Sequence, residues 1–186
     1  THRRTERVTM EQEKAVIEAI LFLEADPVDV RTLARISGIA TEQVEMLLTE
    51  LNRDLEDDSR GVQLTTLAGG YQLVPKRQLW PRLRERYGKK RSQRLSRAAM
   101  ETLSIVAYSQ PITRAEIESL RGVSADGMIR LLLERELIKE VGKKDAPGKP
   151  VQYGTTKDFL KTFGLASISD LPKLDETEEE RFRLNG

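Results

Sequence analysis

The fold is decided by a pattern that occurs twice along the chain, first as LFLEADPVDVRTLARISGIATEQVEMLL (residues 21–48) and then as IVAYSQPITRAEIESLRGVSADGMIRLL (residues 105–132). A shift of 84 positions places Pro27 on Pro111 without any gap. The same shift aligns apolar residues and one glycine, namely Leu21 with Ile105, Val28 with Ile112, Leu33 with Ile117, Gly38 with Gly122, and Leu48 with Leu132. A repeat of this length indicates that one small module is built twice.

The 186-residue chain has the composition of a globular protein, with 38% hydrophobic and 33% charged residues. Its length suits two domains of roughly 80 residues, each near the lower size for an independent core. No apolar run approaches the ~20 residues of a membrane span, and no charged-then-apolar leader is present, so we expect a cytoplasmic protein without membrane contact. The absence of cysteine excludes disulfides and thiolate metal sites.

Charge is strongly segregated along the chain, although the net charge is only +1. Residues 10–75 carry 13 acidic against 5 basic side chains, whereas residues 76–97 carry 10 basic side chains against Glu85 alone. Residues 175–186 are again acidic. A basic connector therefore joins an acidic first module to a nearly neutral second one.

Helix and hairpin signals follow the order of a winged helix-turn-helix domain in both modules. In the first module they predict a helix over 10–24, a helix capped by Asp29 and ended by Gly38, a helix capped by Thr41, and strands within 61–74 around a Gly69-Gly70 turn. In the second module they predict a helix capped by Ser96, a helix from the Thr113 and Glu116 capping box to Gly122, and a helix from Ser124. They then predict strands over 138–141 and 151–153 and a last helix from Thr155 to Gly164.

These signals predict an α+β, mostly helical fold with two tandem winged helix-turn-helix domains. The predicted organisation is a disordered N-terminal tail over 1–9, winged-helix domain 1 over 10–75, a basic helical connector over 76–95, winged-helix domain 2 over 96–172, and an acidic C-terminal tail over 173–186. Two small modules on one chain leave apolar surface for partners.

Several longer strings resemble one family, segregation and condensation protein B. The strings are Leu95 to Leu103, Tyr108 to Ile117, Leu120 to Ser124, Leu132 to Arg135, Gly142 to Gly148, and Tyr153 to Leu160. The first module resembles this family more loosely, through the run Ile17 to Phe22 and the position of Pro27. The resemblance covers about residues 10–172.

The resemblance implies a non-enzymatic subunit without a cofactor, built from two winged-helix domains and located in the cytoplasm with the nucleoid. It implies a homodimer formed mainly through the first domain. It also implies binding to a kleisin, segregation and condensation protein A, which bridges the ATPase heads of a structural-maintenance-of-chromosomes dimer. Such a complex supports chromosome condensation and segregation during the cell cycle.

A winged helix also invites a DNA-binding interpretation, and a tandem winged-helix transcription regulator is the alternative function. A recognition helix in the major groove needs basic or amide side chains on its outer face. The third helix of the first module instead carries Glu42, Glu45, Glu50 and Asp54, so the phosphate backbone disfavours that docking. The helices are expected to pack against protein.

The basic connector leaves two interpretations open. Its side chains contact phosphates without reading sequence, or they are solvated beside acidic neighbours or an acidic partner. The candidate phosphate contacts are Arg84, Lys89, Lys90, Arg91 and Arg94. Lys143, Lys144 and Lys149 form a second basic spot in the predicted wing loop.

Residues for catalysis are scarce in this sequence. There is no phosphate-binding Gly-x-x-x-x-Gly-Lys-Ser/Thr string, so ATP hydrolysis would belong to a partner. The only imidazole is His2, which lies in a polar terminal segment and serves no triad or multi-histidine metal site. We therefore predict no enzymatic activity and no metal or cofactor.

Contacts with other chains are the function for which the sequence offers candidates. The candidate partner-binding residues are Leu79, Trp80, Leu103, Tyr108, Tyr153, Phe159 and Phe163, chosen as apolar or aromatic anchors. The alternative for each is that it closes the core of its own module. The candidate homodimer contacts, which follow from the resemblance, are Val16, Ile20, Leu23, Val44 and Leu48.

Overall fold

A computed structural model describes residues 2–87 and 95–174 of the chain, with side chains from Thr9 onward. The chain divides into two compact units, Thr1–Lys90 and Arg91–Gly186. The division falls within the basic connector predicted over residues 76–95. Each unit has its own hydrophobic core.

Within residues 2–87, unit 1 consists of three helices, a two-stranded wing and an exit helix. The elements are α1 (His2–Leu23), α2 (Val30–Ser37), α3 (Thr41–Leu55), β1 (Val62–Leu67), β2 (Gly70–Pro75) and α4 (Trp80–Tyr87). The strands are antiparallel, from Val62 opposite Pro75 to Leu67 opposite Gly70. A 3₁₀ turn at Arg77–Leu79 joins the wing to α4.

Unit 2 repeats this order within residues 95–174. The elements are α5 (Arg97–Ser109), β3 (Ile112–Thr113), α6 (Arg114–Arg121), α7 (Asp126–Glu134), β4 (Ile138–Lys143), β5 (Val151–Thr155) and α8 (Lys157–Phe163). The strands form an antiparallel sheet in the order β3-β5-β4. The predicted fold class, α+β and mostly helical with two tandem winged helix-turn-helix domains, is confirmed.

The helix caps confirm the internal repeat position by position. Asp29 Oδ1 accepts from Thr32 N at 2.8 Å at the start of α2, and Thr113 Oγ1 accepts from Glu116 N at 3.3 Å at the start of α6. Both helices then end at a left-handed glycine, with φ of 73° at Gly38 and 75° at Gly122. Glycine is favoured at both ends because a side chain there is strained.

A short strand contact follows the first helix of each unit. Val28 and Tyr71 exchange two backbone hydrogen bonds of 2.9 and 2.8 Å in unit 1, and Ile112 pairs with Tyr153 in unit 2. The unit 1 contact depends on Gly70, where an added Cβ would lie 2.8 Å from both Pro27 C and Val28 N. Only a residue without a side chain lets these two backbones approach so closely.

The first helix is longer than the sequence predicted. The structure continues α1 back to His2, so most of the segment predicted as a disordered tail over 1–9 is helical. The prediction began the helix after Thr9, which has the residue type of a cap. Residues 2–9 contain neither proline nor glycine, and their arginines and glutamate are good helix formers, so nothing stops the helix there.

Other predicted caps are wrong by one or two positions. The residue before α3 is Ala40 rather than Thr41, and α7 begins at Asp126 after Ala125 rather than at Ser124. Thr156, not Thr155, caps α8 by accepting from Phe159 N at 3.1 Å. Thr155 is held in β5 by pairing, and strand pairing outweighs its preference for a cap.

The reversal of the first wing is also shifted by one residue. The two residues of the turn are Ala68 and Gly69, with φ of 49° and 75°, rather than Gly69 and Gly70. Gly70 pairs with Leu67 and lies against the backbone of Pro27. That close contact fixes Gly70 inside β2, and the turn therefore falls one residue earlier.

Lys76 is buried at the point where β2 ends. Its Nζ donates to Asp57 O at 2.5 Å and to Glu56 O at 3.4 Å, just beyond the C-terminus of α3. A cation at a helix C-terminus satisfies carbonyls that have no helical partner and interacts favourably with the helix dipole. Lys76 therefore holds the end of β2 against the end of α3. From the sequence alone it was assigned only to the basic connector.

Apolar residues spaced along the helices form the two cores. In unit 1 the fully buried set is Ile17, Leu21, Val28, Leu33, Val44, Leu47, Leu48, Leu51 and Leu55. In unit 2 it includes Leu103, Val106, Ile112, Ile117, Ile129, Leu132, Ile138 and Phe159. None of the helices in residues 2–87 and 95–174 has the combination of length and apolarity that a bilayer-crossing segment needs.

Candidate interaction surface

Two apolar stripes run along α1, and only one of them is covered. Ile17 and Leu21 pack into the core of unit 1. On another side of the helix, Phe22 is 79% exposed, Leu23 is 80% exposed, and Val16 is also exposed. Large apolar side chains left in water at helical spacing indicate a surface that is covered in an assembly.

A shallow apolar groove lies between α1 and the second strand of the wing. Phe22, Ala15 and Ala19 form its helix side, and the wing side consists of Val62, Leu73, Val74 and Pro75. The charged residues that line it are Glu18 and Glu24. The groove is therefore an apolar surface with an acidic border.

The structure separates the five candidate dimer contacts into two groups. Val16 and Leu23 are exposed, and Ile20 is half-buried against the core. Val44 and Leu48 are only 0% and 2% exposed, since they point into the core of unit 1. Their selection as surface contacts is corrected, because the resemblance indicates which helices take part but not which face of α3 the core of unit 1 already covers.

The candidate partner-binding residues divide in the same way. Leu103 and Phe159 are 1% and 3% exposed and belong to the core of unit 2, so their selection as surface anchors is corrected. Trp80 and Phe163 are exposed, and Leu79 is half-buried. The ring of Phe163 lies 4.8 Å from that of Phe159, so its inner edge extends the core.

Both candidate tyrosines make contacts within unit 2. Tyr108 Oη donates to Pro172 O at 2.6 Å and ties the segment after α8 to the end of α5. Tyr153 packs against the core, and burial raises the pKa of its hydroxyl, with the Glu140 carboxylate adding to the effect. Both residues therefore contribute to the structure of unit 2 itself.

Sequence reasoning missed the most exposed aromatic residue of unit 1. Phe22 aligns with Val106 in the repeat, and it was not among the residues selected for a contact with another chain. The available signal was its spacing from Ala15 and Ala19, which places all three on one side of α1. Ile36 and Met46 are further exposed apolar residues that were not selected.

The candidate phosphate contacts are only partly within the described residues. Arg84 lies exposed on α4. Lys89, Lys90, Arg91 and Arg94 lie outside the described residues. On α3 the outward residues Glu42, Glu45 and Asp54 are exposed, so a recognition helix in this position would present carboxylates to DNA.

One lysine of the second wing is engaged within the protein. Lys144 Nζ donates to Glu116 Oε1, while Thr113 N and Oγ1 donate to Glu116 Oε2 at 2.8 and 2.9 Å. These hydrogen bonds lower the pKa of the Glu116 carboxyl. The bond from Lys144 has the largest effect, and the bonds from Thr113 add to it. Lys144 therefore joins the wing to the capping box of α6.

This contact predicts an acid-dependent stability of unit 2. The pKa of Glu116 is lower in the folded protein than in the unfolded chain. The ionised carboxylate therefore stabilises the fold fully above the ordinary pKa of 4.5, and this stabilisation is lost as the pH falls through the folded-state pKa. We expect Glu116→Gln to be less stable than the wild type at pH 6, and we expect this difference in stability to disappear toward pH 3. Thermal unfolding followed by circular dichroism measures it, with Glu134→Gln on α7 as the control. A difference that stays constant with pH would contradict the assignment.

The fold and this surface define the chain as a tandem winged-helix protein with an apolar contact face. Among the side chains of residues 9–87 and 95–174, no group of three or more His, Cys, Asp or Glu residues has the arrangement to hold a metal ion. The exposed apolar side chains of α1 are the feature that indicates a contact with another macromolecule.

Comparison with known proteins then gives the family. The family model for the Segregation and condensation complex subunit ScpB matches residues 15–174. A relative described as Segregation and condensation protein B, from Desulforamulus reducens, is 44% identical over 166 residues, which are 89% of this chain and 91% of the relative. The chain belongs to the ScpB family of segregation and condensation complex subunits, as the strings in its second module predicted.

Solved structures of this family align with the chain as well. ScpB from Mycobacterium tuberculosis is 33% identical and covers 84% of this chain and 97% of its own, with a TM-score of 0.40. A dimer of a ScpB N-terminal domain complexed with a ScpA peptide is 24% identical and covers 44% of this chain and 95% of its own, with a TM-score of 0.41.

Proposed function

We propose that the chain is a non-enzymatic subunit of a condensin-like complex, which binds a kleisin and supports chromosome condensation and segregation during the cell cycle. The observation that carries the proposal is the uncovered apolar stripe of α1, in a chain that belongs to the ScpB family. The complex would work in the cytoplasm with the nucleoid. ATP hydrolysis would come from the structural-maintenance-of-chromosomes ATPase that the kleisin bridges.

The first contact in this proposal is a homodimer formed through unit 1. Val16 and Leu23 lie one heptad apart on the exposed side of α1, beside the half-buried Ile20. Fully burying an apolar side chain of this size contributes about 1.5–3 kcal/mol, and a symmetric contact uses each residue twice. This apolar stripe is therefore suited to a contact between two copies.

The second contact is with the kleisin, segregation and condensation protein A, through unit 2 and the connector. Unit 2 exposes Phe163 on α8, and Trp80 is exposed at the start of α4. Phe163 also contacts the ring of Phe159 in the core of unit 2, so little of its side-chain freedom is lost when a partner covers it. Aromatic side chains of this kind are common anchors at interfaces. The exposed Arg84 would contribute at most weak DNA contact without sequence preference.

The proposal is tested against the regulator alternative by titrating the purified chain with two ligands. The first is the central segment of the cognate kleisin, and the second is random-sequence duplex DNA at several salt concentrations. We expect saturable binding of the kleisin segment, and DNA binding that is weak and falls steeply with salt. Tight binding to one DNA sequence, with no binding of the kleisin segment, would contradict the proposal.

A further inference from the structure

Helix α4 and the 3₁₀ turn before it carry a dense positive charge. Four exposed arginines lie within residues 77–86, and Glu85 is the one acidic residue of that segment. The four are Arg77, Arg82, Arg84 and Arg86. Within residues 9–87 and 95–174 none of them forms an ion pair, whereas Lys14 of the same unit bonds Glu11 and Asp54 at 3.0 and 2.7 Å. The charge of these arginines is therefore available to a partner.

Apolar residues and two of the arginines lie on different sides of α4. Successive residues are about 100° apart around a helix axis. Trp80, Leu83 and Tyr87 therefore share one side, on which Leu83 is half-buried. Arg82 and Arg86 are four residues apart and share another side, where both are exposed. This basic side of α4, Arg82 and Arg86, is distinct from the side of Trp80 that the proposed kleisin contact uses.

The positions of Arg82 and Arg86 are unfavourable for the helix itself. The N-terminal end of a helix carries a partial positive charge, and Arg82 lies in the first turn of α4, which has no acidic residue. Arg82 and Arg86 also repel each other, because like charges four residues apart on a helix are neighbours. Residues that break local preferences without a compensating contact are expected at functional sites. The two arginines therefore indicate an anionic partner.

We propose that the basic side of α4 binds the phosphate backbone of duplex DNA without reading its sequence. The guanidinium group presents a fixed fork of donors that matches phosphate oxygens. The centre of a protein–protein interface is depleted of charge, whereas protein–DNA interfaces are polar and positively charged. A side with two arginines and no apolar residue therefore favours DNA over an acidic protein segment. The choice of DNA among polyanions rests on the proposed function, which places the chain on chromosomes.

This contact needs α4 and no groove docking by α3. Of the eight residues of α4, Leu83 is half-buried and the other seven are exposed. The arginine side chains therefore reach phosphates from a helix that projects into solvent. The acidic outer face of α3 disfavours docking in the major groove, and with it the reading of a sequence, but backbone binding by α4 does not depend on that face.

The test measures binding of a fluorescently labelled random-sequence duplex to the full chain by anisotropy, at salt concentrations from about 50 to 200 mM. The α4 variant carries Arg82→Gln and Arg86→Gln, which leave the apolar side of the helix unchanged. Glutamine is a good helix former, and circular dichroism checks that the variant is folded. The matched control carries Arg31→Gln and Arg35→Gln, at two exposed positions that are also four residues apart, on α2. Both variants lower the net charge by the same amount.

Each phosphate contact contributes about 0.9 to the slope of the logarithm of the association constant against the logarithm of the salt concentration. We therefore expect the slope of the α4 variant to be shallower by at least about 1.8, and its affinity at about 50 mM salt to be at least about tenfold lower. The α2 variant is expected to bind like the wild type. Equal losses in the two variants would show a response to net charge alone and would overturn the DNA contact, as would a wild-type chain that binds no DNA.

Two further titrations separate the DNA contact from other partners and from the proposed function. A polyglutamate peptide is expected to bind more weakly than the duplex, and equally tight binding of both would point to an acidic protein and overturn the DNA contact. The central segment of the cognate kleisin is expected to bind the wild type and the α4 variant equally. If the α4 variant loses the kleisin segment, the DNA contact is overturned and the proposed function stands. If the wild type binds DNA through α4 but does not bind the kleisin segment, the DNA contact stands and the proposed function is contradicted.

Discussion

Gly70→Ala is expected to lower the free energy of unfolding of unit 1 by about 3 kcal/mol, a large fraction of the stability of a small domain. The added methyl would lie 2.8 Å from Pro27 C and Val28 N and 2.9 Å from Val28 C. These are backbone atoms, so the clash is not relieved by turning a side chain. It is expected to separate Val28 from Tyr71 and break both hydrogen bonds between them.

Denaturant unfolding measures this effect selectively, because Trp80 is the single tryptophan of the chain and lies in unit 1. Gly61→Ala is the matched control, since its Cβ would lie 3.7 Å from Leu79 Cδ1, an ordinary contact. Gly154→Ala provides a graded comparison in unit 2, followed by circular dichroism, because the Cβ there would meet side-chain atoms of Gln110 and Val141 rather than backbone. Equal stability of Gly70→Ala and Gly61→Ala would contradict the close approach of the two backbones.

Leu23→Asp is expected to convert the proposed homodimer into a folded monomer. Leu23 is 80% exposed within unit 1, so the carboxylate costs the isolated chain little. In a symmetric contact the change removes two apolar side chains and buries two like charges, which is expected to raise the dissociation constant at least about 100-fold. Light scattering across a dilution series measures the change.

Val123→Asp is the control for this substitution, since Val123 is an exposed apolar residue of unit 2. It adds the same charge to the chain but lies outside the proposed dimer surface. We expect it to leave the dimer intact. A Leu23→Asp variant that dimerises as strongly as Val123→Asp would exclude this side of α1 as the contact.

Positions that depend on local backbone chemistry were predicted well from the sequence. Asp29 and Thr113 cap their helices, and Gly38 and Gly122 end them, because the groups that satisfy a helix terminus lie within four residues of it. Where local preferences competed, the prediction was less accurate. Thr155 has a cap-forming side chain, but strand pairing holds it in β5, and Thr156 caps α8 instead.

Burial was not predictable in the same way, because it depends on elements far away in the chain. Helical spacing gives α1 two apolar stripes and does not indicate which one the core covers. Phe22 and Val106 occupy equivalent positions in the repeat, but Phe22 is 79% exposed and Val106 is fully buried. Val44 and Leu48, which the family resemblance had placed in a contact between chains, are likewise buried in the core of unit 1.

The most direct test of the account is the molar mass of the purified chain, measured by light scattering after size exclusion, alone and with the cognate kleisin's central segment. The account predicts a dimer that shifts to a stable complex containing that segment. It also predicts that Leu23→Asp abolishes the dimer. A monomer whose mass and elution do not change when the segment is added would contradict the account.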